Sequence, residues 1–154
     1  MAEQEFPPQV WQMVQDHLSY TDEEMALFKD NPRNAQVLAA VPMMMRKTIV
    51  MEVLESTGCN SKHTVGSRFY FSGDGNLLTS MAPSKICAFL LPLMTQGVNA
   101  IQELWYAGLD PERPTFHRAG CFDVGVRCGG WGHIVVDVRV MDREEAQALY
   151  DGGS

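Results

Sequence analysis

The sequence predicts an α+β protein: an N-terminal helical arm, then a small antiparallel sheet of about four strands packed by one long apolar helix. Three observations predict this class. Apolar residues recur at helical spacing in the first forty-odd positions, strand-forming residues dominate from Lys47, and the most apolar stretch runs from Pro83 to Tyr106. Helices and strands that are separated along the chain are typical of α+β domains.

The N-terminal helical arm, residues 1–46, is predicted to contain three helices. An apolar stripe at three- and four-residue spacing predicts the first, from Pro7-Pro8 to about Tyr20. Thr21 and Glu24 match a capping box, in which each side chain satisfies a free backbone N–H of the other residue, so the second helix begins there. A third short helix is expected from Arg33 to Val41.

The predicted core domain, residues 47–141, begins with two strands. Lys47–Leu54 is rich in β-branched residues and predicts a buried strand. Arg68–Phe71 predicts a second strand that pairs with the first, and the polar segment Gly58–His63 is a loop between them.

The stretch Pro83–Tyr106 predicts one long, largely buried helix. Pro92 is expected to kink or split this helix, because proline lacks the N–H that an internal position must donate. Cys87 lies between apolar neighbours on the predicted helix, so it is expected to belong to the core.

The end of the chain is predicted to form a hairpin and a last helix. Phe122–Val140 contains two strand-like runs around a tip at Cys128–His133. Asp142–Tyr150 predicts a short polar helix within the C-terminal segment 142–154. The acidic residues that alternate with apolar ones on the strands are expected to form an exposed face, and two histidines are expected to be solvated. These residues are Glu52, Glu55, Asp137, His17 and His117.

Charge and composition exclude several function classes. The chain has 12 Lys and Arg against 19 Asp and Glu, a net charge of -7, which disfavours binding to nucleic acid or to anionic membranes. The first residues, Met1–Glu5, are acidic and no long apolar span exists, so a cytoplasmic protein is expected. Four cysteines in a reducing compartment are expected to be thiols, metal ligands or catalytic groups.

Cysteine and histidine occur together in two predicted loops. Cys59 and His63 lie in one loop, and Cys128 and His133 lie in the other, with Cys121 seven residues before Cys128. Thiolate and imidazole are preferred ligands of zinc, and iron is also possible, although the spacing matches no standard zinc or ferredoxin motif. The candidate metal ligands are therefore Cys59, His63, Cys121, Cys128 and His133.

The same loops permit chemistry without a metal. Cys59 or Cys128 could act as the reactive group, with His63 or His133 as its base. Backbone amides at Gly129 and Gly130 could bind an anion, although a hairpin turn needs glycine in any case. Trp131 could stack on a ligand ring or close the end of the core, and Asp123 could orient a histidine.

The stretches "GCNSKHTVGSRFYFSGDGNLLT" and "GCFDVGVRCGGWGHIVVDVRV", together with "YTDEEMALFKDNPRN" and "ELWYAGLDP", resemble a family of small uncharacterised prokaryotic proteins. Many of its members come from anaerobes and are described only as conserved hypothetical proteins. The resemblance covers Tyr20 to Val140. It implies a cytosolic protein from a low-oxygen organism, in which exposed thiols and oxygen-sensitive metal sites survive, and it supplies neither a substrate nor catalytic residues.

Together these features predict a small protein with a Cys/His loop site that binds zinc, iron or a small anionic ligand. One alternative is a metal-free, cysteine-dependent lyase, isomerase or hydrolase that acts on a small acid. The other is a non-catalytic accessory subunit that docks on a larger enzyme through its helical arm. The apolar arm also makes a homodimer plausible.

Overall fold

The computed structural model describes residues 6–153 and has the α+β class predicted from the sequence. The acidic start Met1–Glu5 and the last residue, Ser154, lie outside the described residues. Two compact units divide the chain between Pro42 and Met43. The helices of the described range are α1 (Pro8–Leu18), α2 (Asp22–Asp30), α3 (Pro32–Met44), α4 (Leu91–Tyr106) and α5 (Arg143–Gly152), and its strands are β1 (Lys47–Thr57), β2 (Arg68–Ser72), β3 (Arg118–Gly120) and β4 (His133–Asp142).

The helices of the first unit follow their sequence signals closely. Thr21 caps α2 through its hydroxyl, which accepts from the Glu24 N–H at 3.2 Å, while Glu24 accepts from the Thr21 N–H at 2.8 Å. The predicted third helix is too short, because α3 begins at Pro32 and continues through Pro42. Proline is tolerated in a first turn, and Pro42 costs α3 one hydrogen bond, because its nitrogen has no hydrogen to donate to the carbonyl four residues earlier.

The sheet of the second unit is antiparallel throughout, with the strand order β2-β1-β4-β3 in the described residues. Strand β1 lies in the interior and pairs with two neighbours, so Met51 faces Phe69 of β2 on one side and Val138 of β4 on the other. The two strands predicted before Gly73 are confirmed, and β1 runs three residues further than expected, to Thr57.

Helices cover both faces of this sheet. On one face α4 approaches the strands at Gly97, where a Cβ would lie 2.7 Å from the Met51 Cε and 3.3 Å from a Val138 methyl carbon. On the other face Ala146 of α5 packs against Val50 and its neighbours on β1 and β2. The second unit therefore includes α5, which caps itself through Asp142 and Glu145. No helix within residues 6–153 is long and apolar enough to cross a membrane.

Helix α4 begins eight residues later than the sequence suggested. Its first residue is Leu91, so Pro92 lies in the first turn and neither kinks nor splits the helix. Proline fits this position because the N–H of a first-turn residue has no partner within the helix. Cys87 is therefore not on a helix, and it is only partly buried in the segment that precedes α4. The expectation that Cys87 belongs to the core is wrong.

The predicted final hairpin is also wrong in one strand. Strand β4 pairs with β3 at Arg118–Gly120, and the expected strand from Phe122 onwards is a loop that extends to Gly132. Phe122, Val124 and Val126 alternate as they would in a strand, yet they are 72%, 58% and 73% exposed. Alternation predicts a strand only where one face is covered, and these three side chains remain mostly exposed.

The acidic residues of the strands are not a free polar face. Asp137 is only 7% exposed, and its carboxylate lies 2.6 Å from the His117 Nδ1 and 3.7 Å from both Arg113 and Arg118. Two arginines, Arg68 at 3.2 Å and Arg139 at 2.8 Å, likewise pair with Glu52. The expectations for Asp137, Glu52 and His117 are therefore wrong, because ion pairs satisfy this part of the sheet.

The turn after β2 generates a test of the fold. A Cβ on Gly73 would overlap the backbone carbonyl of Met44, whereas a Cβ on Gly152 would meet nothing within 4 Å. Gly73→Ala should lower the free energy of unfolding by about 1–3 kcal/mol, since the backbone itself must move. Gly152→Ala should leave it unchanged or slightly raised. Urea unfolding followed by circular dichroism measures both, and equal effects in the two variants would contradict this packing.

Candidate functional site

Two loops of the second unit touch through their backbones. A Cβ on Gly132 would overlap the Gly58 carbonyl and lie 2.9 Å from the Cys59 backbone nitrogen. Gly58 has a φ of 62°, and a Cβ there would lie 3.0 Å from the Trp131 carbonyl oxygen. Glycine is required at both positions by this close approach. The contact brings the Cys59–His63 loop against the loop that ends at His133, as the site predicted from the sequence requires.

The carboxylate of Asp123 holds the second loop together. It accepts hydrogen bonds from the backbone N–H groups of Gly125 at 3.0 Å, Trp131 at 3.1 Å and Gly132 at 3.0 Å. These amides lower the pKa of Asp123, because they stabilise the charged form. A side chain on Gly130 would overlap this carboxylate, so glycine is required there as well.

The amides that were expected to bind an external anion are used inside the protein. Gly129 donates to the Val126 carbonyl at 3.3 Å and Gly130 donates to the Gly125 carbonyl at 2.9 Å. The next two amides, those of Trp131 and Gly132, donate to the Asp123 carboxylate. The run of glycines does form a carboxylate-binding cradle, but the carboxylate belongs to the same loop.

Asp123 also orients a histidine, through its backbone and not through its carboxylate. The His133 Nδ1 lies 2.6 Å from the Asp123 carbonyl oxygen. A carbonyl only accepts, so Nδ1 must carry a hydrogen, and the lone pair of the neutral ring is at Nε2. The ring lies beside Gly120, where a Cβ would come within 2.9 Å of Nε2.

The thiol of Cys121 lies beside this imidazole. Its Sγ is 3.9 Å from the His133 Nδ1 and accepts a hydrogen bond from the Ile134 N–H at 3.4 Å. The Cys121 N–H in turn donates to the Ile134 carbonyl at 3.0 Å. The thiol itself donates to the Asp123 carbonyl at 3.7 Å, so the sulfur lies between the loop and β4.

A cavity of about 600 Å³ opens between the two loops and the segment before α4. The Phe122 N–H donates to the Phe89 carbonyl at 2.9 Å and joins two of its walls. Of the residues predicted to form a site, Cys128 and Gly129 lie outside the lining, and Cys128 is exposed. The predicted residues that line the cavity are Cys59, His63, Cys121, Asp123, Gly130, Trp131 and His133.

Several lining residues were not predicted from the sequence. The rings of Phe89 and Phe122 stack with their centroids 6.4 Å apart. Phe89 is 54% exposed, Phe122 is 72% exposed and Trp131 is 84% exposed. Trp131 therefore does not close the core, which was the alternative use considered for it. Cys87 contributes a third thiol to the lining. The signal that could have revealed this segment was Pro92, which marks the true start of α4.

His63 is the most deeply buried polar residue of the lining. It is 3% exposed, packs edge-on against Phe69 at 5.1 Å, and its Nε2 has no hydrogen-bond partner among the described residues. Burial lowers the pKa of His63, because the charged form is removed from water. The ring is therefore neutral at neutral pH. Ser56 holds its backbone by donating to the His63 carbonyl at 2.5 Å.

The arrangement gives the metal prediction no support. Within residues 6–153, no group of three or more His, Cys, Asp or Glu side chains is placed to hold a metal ion. Cys128, which belonged to the predicted ligand set, lies outside the cavity that Cys59 lines. Zinc or iron binding stays a prediction.

Comparison with known proteins adds no assignment, since no protein family, no curated protein and no solved structure matches the chain. The resemblance to small proteins of anaerobes therefore also stays a prediction.

The contact between the loops can be tested with two glycine variants. Gly132→Ala should separate the loops, because its Cβ has backbone on the facing side. Gly129→Ala should cost about 1–2 kcal/mol of strain, since its φ is 85°, but nothing lies within 4 Å of the added Cβ. Reactivity of the Cys59 thiol towards a water-soluble thiol reagent should rise in the first variant only. An equal rise in both would contradict the assigned contact.

The buried imidazole generates a pH prediction. The pKa of His63 is lower in the folded protein than in the unfolded chain, so the unfolded chain binds the extra proton more readily. Stability is then fully retained above about pH 6.5 and falls as the pH drops below it.

Urea unfolding at about pH 7.5 and about pH 5.5 measures this loss. The loss of stability between the two pH values should be smaller in His63→Leu than in wild type. At the higher pH this variant should be at least as stable as wild type, because an unpartnered polar group is removed. His17→Asn, which changes an exposed histidine, serves as the control. If His63→Leu lost as much stability as wild type between the two pH values, His63 would not be the cause of the loss.

Proposed function

We propose that the second unit binds a small, uncharged, planar molecule in the cavity between its two loops. The observation that carries this proposal is the chemistry of the lining: three aromatic rings at the surface and a buried, unpartnered imidazole below them. Neither Lys nor Arg occurs among the described lining residues.

The size and exposure of the apolar residues support a ligand. A volume of about 600 Å³ lies within the usual range of small-molecule sites. Exposed aromatic rings cost free energy in water, and covering them regains about 25 cal/mol per Å² of apolar surface. Stacked rings such as Phe89 and Phe122 also favour a flat partner, because aromatic pairs gain most in offset stacking.

The charge of the site favours a neutral ligand over the small anion first predicted. The amide cradle is already filled by Asp123, and no cationic side chain of the described lining could balance an anion. A bound cation would have to replace its hydration shell in a largely apolar space, which is also costly. An uncharged ligand avoids both penalties.

His63 supplies the polar selectivity of the proposed site. A buried polar atom without a partner costs about 1–3 kcal/mol. A ligand hydroxyl or carbonyl that reaches the His63 Nε2 would remove this cost, since a neutral imidazole can either donate or accept. We therefore expect ligands with one polar group on a flat apolar body.

Naphthol has this chemistry and provides the test, with naphthalenesulfonate as its anionic counterpart. By calorimetry, naphthol should bind the wild-type protein more tightly than the sulfonate. Trp131→Ala should weaken binding about tenfold, as expected for the loss of one stacking partner. Phe116→Ala is the matched control, because Phe116 is 92% exposed but lies outside the lining. Equal affinity in both variants, or preference for the sulfonate, would overturn the proposal.

Metal binding is the competing function, and it has a separate test. Elemental analysis of protein purified without a metal-binding tag should find no stoichiometric zinc or iron. Near-stoichiometric metal that is lost in Cys59→Ser, with the fold intact, would instead restore the metal site predicted from the sequence.

A further inference from the structure

We infer that Cys121 is a nucleophile, with His133 as its proton partner, and that the ligand of the cavity is an electron-poor alkene conjugated to a carbonyl, such as an enone or a quinone. This inference rests on the proposed function, because it assigns a chemical class to the same planar, uncharged ligand. It adds a covalent step that the binding proposal does not require.

Three of the chain's four cysteines, all within the described residues, line this one cavity. Thiols are soft nucleophiles, and they add to electron-poor carbon in preference to the hard carbonyl centres attacked by hydroxyl groups. A thiol-lined, largely apolar cavity without Lys or Arg therefore suits a soft, uncharged electrophile. The unpartnered His63 Nε2 in the same lining would donate a hydrogen bond to that electrophile's carbonyl when it carries the ring hydrogen.

Among the three thiols, Cys121 has the contacts that a nucleophile needs. The Ile134 N–H donates to its sulfur at 3.4 Å, and His133 Nδ1 lies 3.9 Å away. No described hydrogen bond joins the sulfur of Cys59 or Cys87 to an imidazole. A hydrogen-bond donor and an adjacent imidazole are the two features that activate a cysteine.

The tautomer of His133 decides where the thiol proton goes. Nδ1 already carries a hydrogen directed at the Asp123 carbonyl, 2.6 Å away, so the neutral ring accepts a proton only at Nε2. When the proton of Cys121 reaches Nε2 by way of solvent, the ring becomes an imidazolium. Its Nδ1–H then has both the Asp123 carbonyl and the Cys121 thiolate as neighbours, and the thiolate is its counterion.

The covalent step balances without an oxidant or a reductant. The thiolate forms a sulfur–carbon bond at the far carbon of the alkene, and the π electrons of that bond move towards the carbonyl oxygen. The resulting enolate takes the proton held by His133, so the imidazole returns to its neutral form. One thiol hydrogen and one sulfur have added across the alkene.

N-phenylmaleimide is the probe, because it is uncharged, flat and contains the required alkene. Its saturated analogue, N-phenylsuccinimide, has the same shape and cannot react. Alkylation of each cysteine is followed by mass spectrometry in the wild-type protein. Cys128, exposed and outside the cavity, reports ordinary thiol reactivity, while Cys59 and Cys87 report the effect of binding in the cavity alone.

Cys121 should react at least about tenfold faster than each of the other three cysteines. In His133→Asn the side-chain amide nitrogen takes the place of Nδ1, so it can still donate to the Asp123 carbonyl but cannot hold a proton. This variant should slow Cys121 about tenfold or more and leave Cys128, which lies outside the cavity, unchanged.

The outcomes separate this inference from the proposed function. One outcome is that N-phenylsuccinimide binds and protects the cavity cysteines from alkylation while Cys121 reacts no faster than Cys59 and Cys87. That result would overturn the role of Cys121 as a nucleophile and leave the binding proposal standing. If Cys121 is fast and His133→Asn has no effect, the role of His133 is overturned. If neither probe binds, both proposals fail. The wild-type comparison needs no variant, so misfolding cannot obscure it.

Discussion

The candidate site depends on one residue, Asp123, whose two oxygen-bearing groups have separate tasks. Its carboxylate gathers three backbone N–H groups and closes a loop that has little regular structure between β3 and β4. Its carbonyl fixes the tautomer of His133. The loop and the imidazole are thus ordered by the same residue, and a change in its backbone position would alter both the shape of the cavity and the direction of the histidine.

Glycine serves this site in two physically different ways. At Gly130 and Gly132 the absence of a side chain permits close approach, to the Asp123 carboxylate in one case and to the facing loop in the other. At Gly129 the requirement is a left-handed backbone with open space around it. A glycine-rich segment that suggests a simple hairpin turn therefore contains residues with distinct roles, and each can be separated from the others by substitution.

The sequence predicts well those elements that are decided locally. The capping box at Thr21 and Glu24 and the β-branched run of β1 act over a few residues, so α2 and β1 are found where they were expected. The alternating segment after Cys121 misleads, because a strand also needs a pairing partner and a covered face. The two Cys/His loops could be suspected from composition, and the third wall of the cavity could have been found from Pro92, which suits the first turn of a helix better than its middle.

The approach of α4 to the sheet at Gly97 has a consequence for the cavity. The segment with Cys87 and Phe89 runs directly into α4, so the depth to which this helix sinks onto Met51 and Val138 sets the position of the wall. Bulk added or removed at Met51 or Val138 would therefore move this wall, although neither residue lines the cavity. Under the proposed function, two residues outside the lining would thus help to select the size of the ligand.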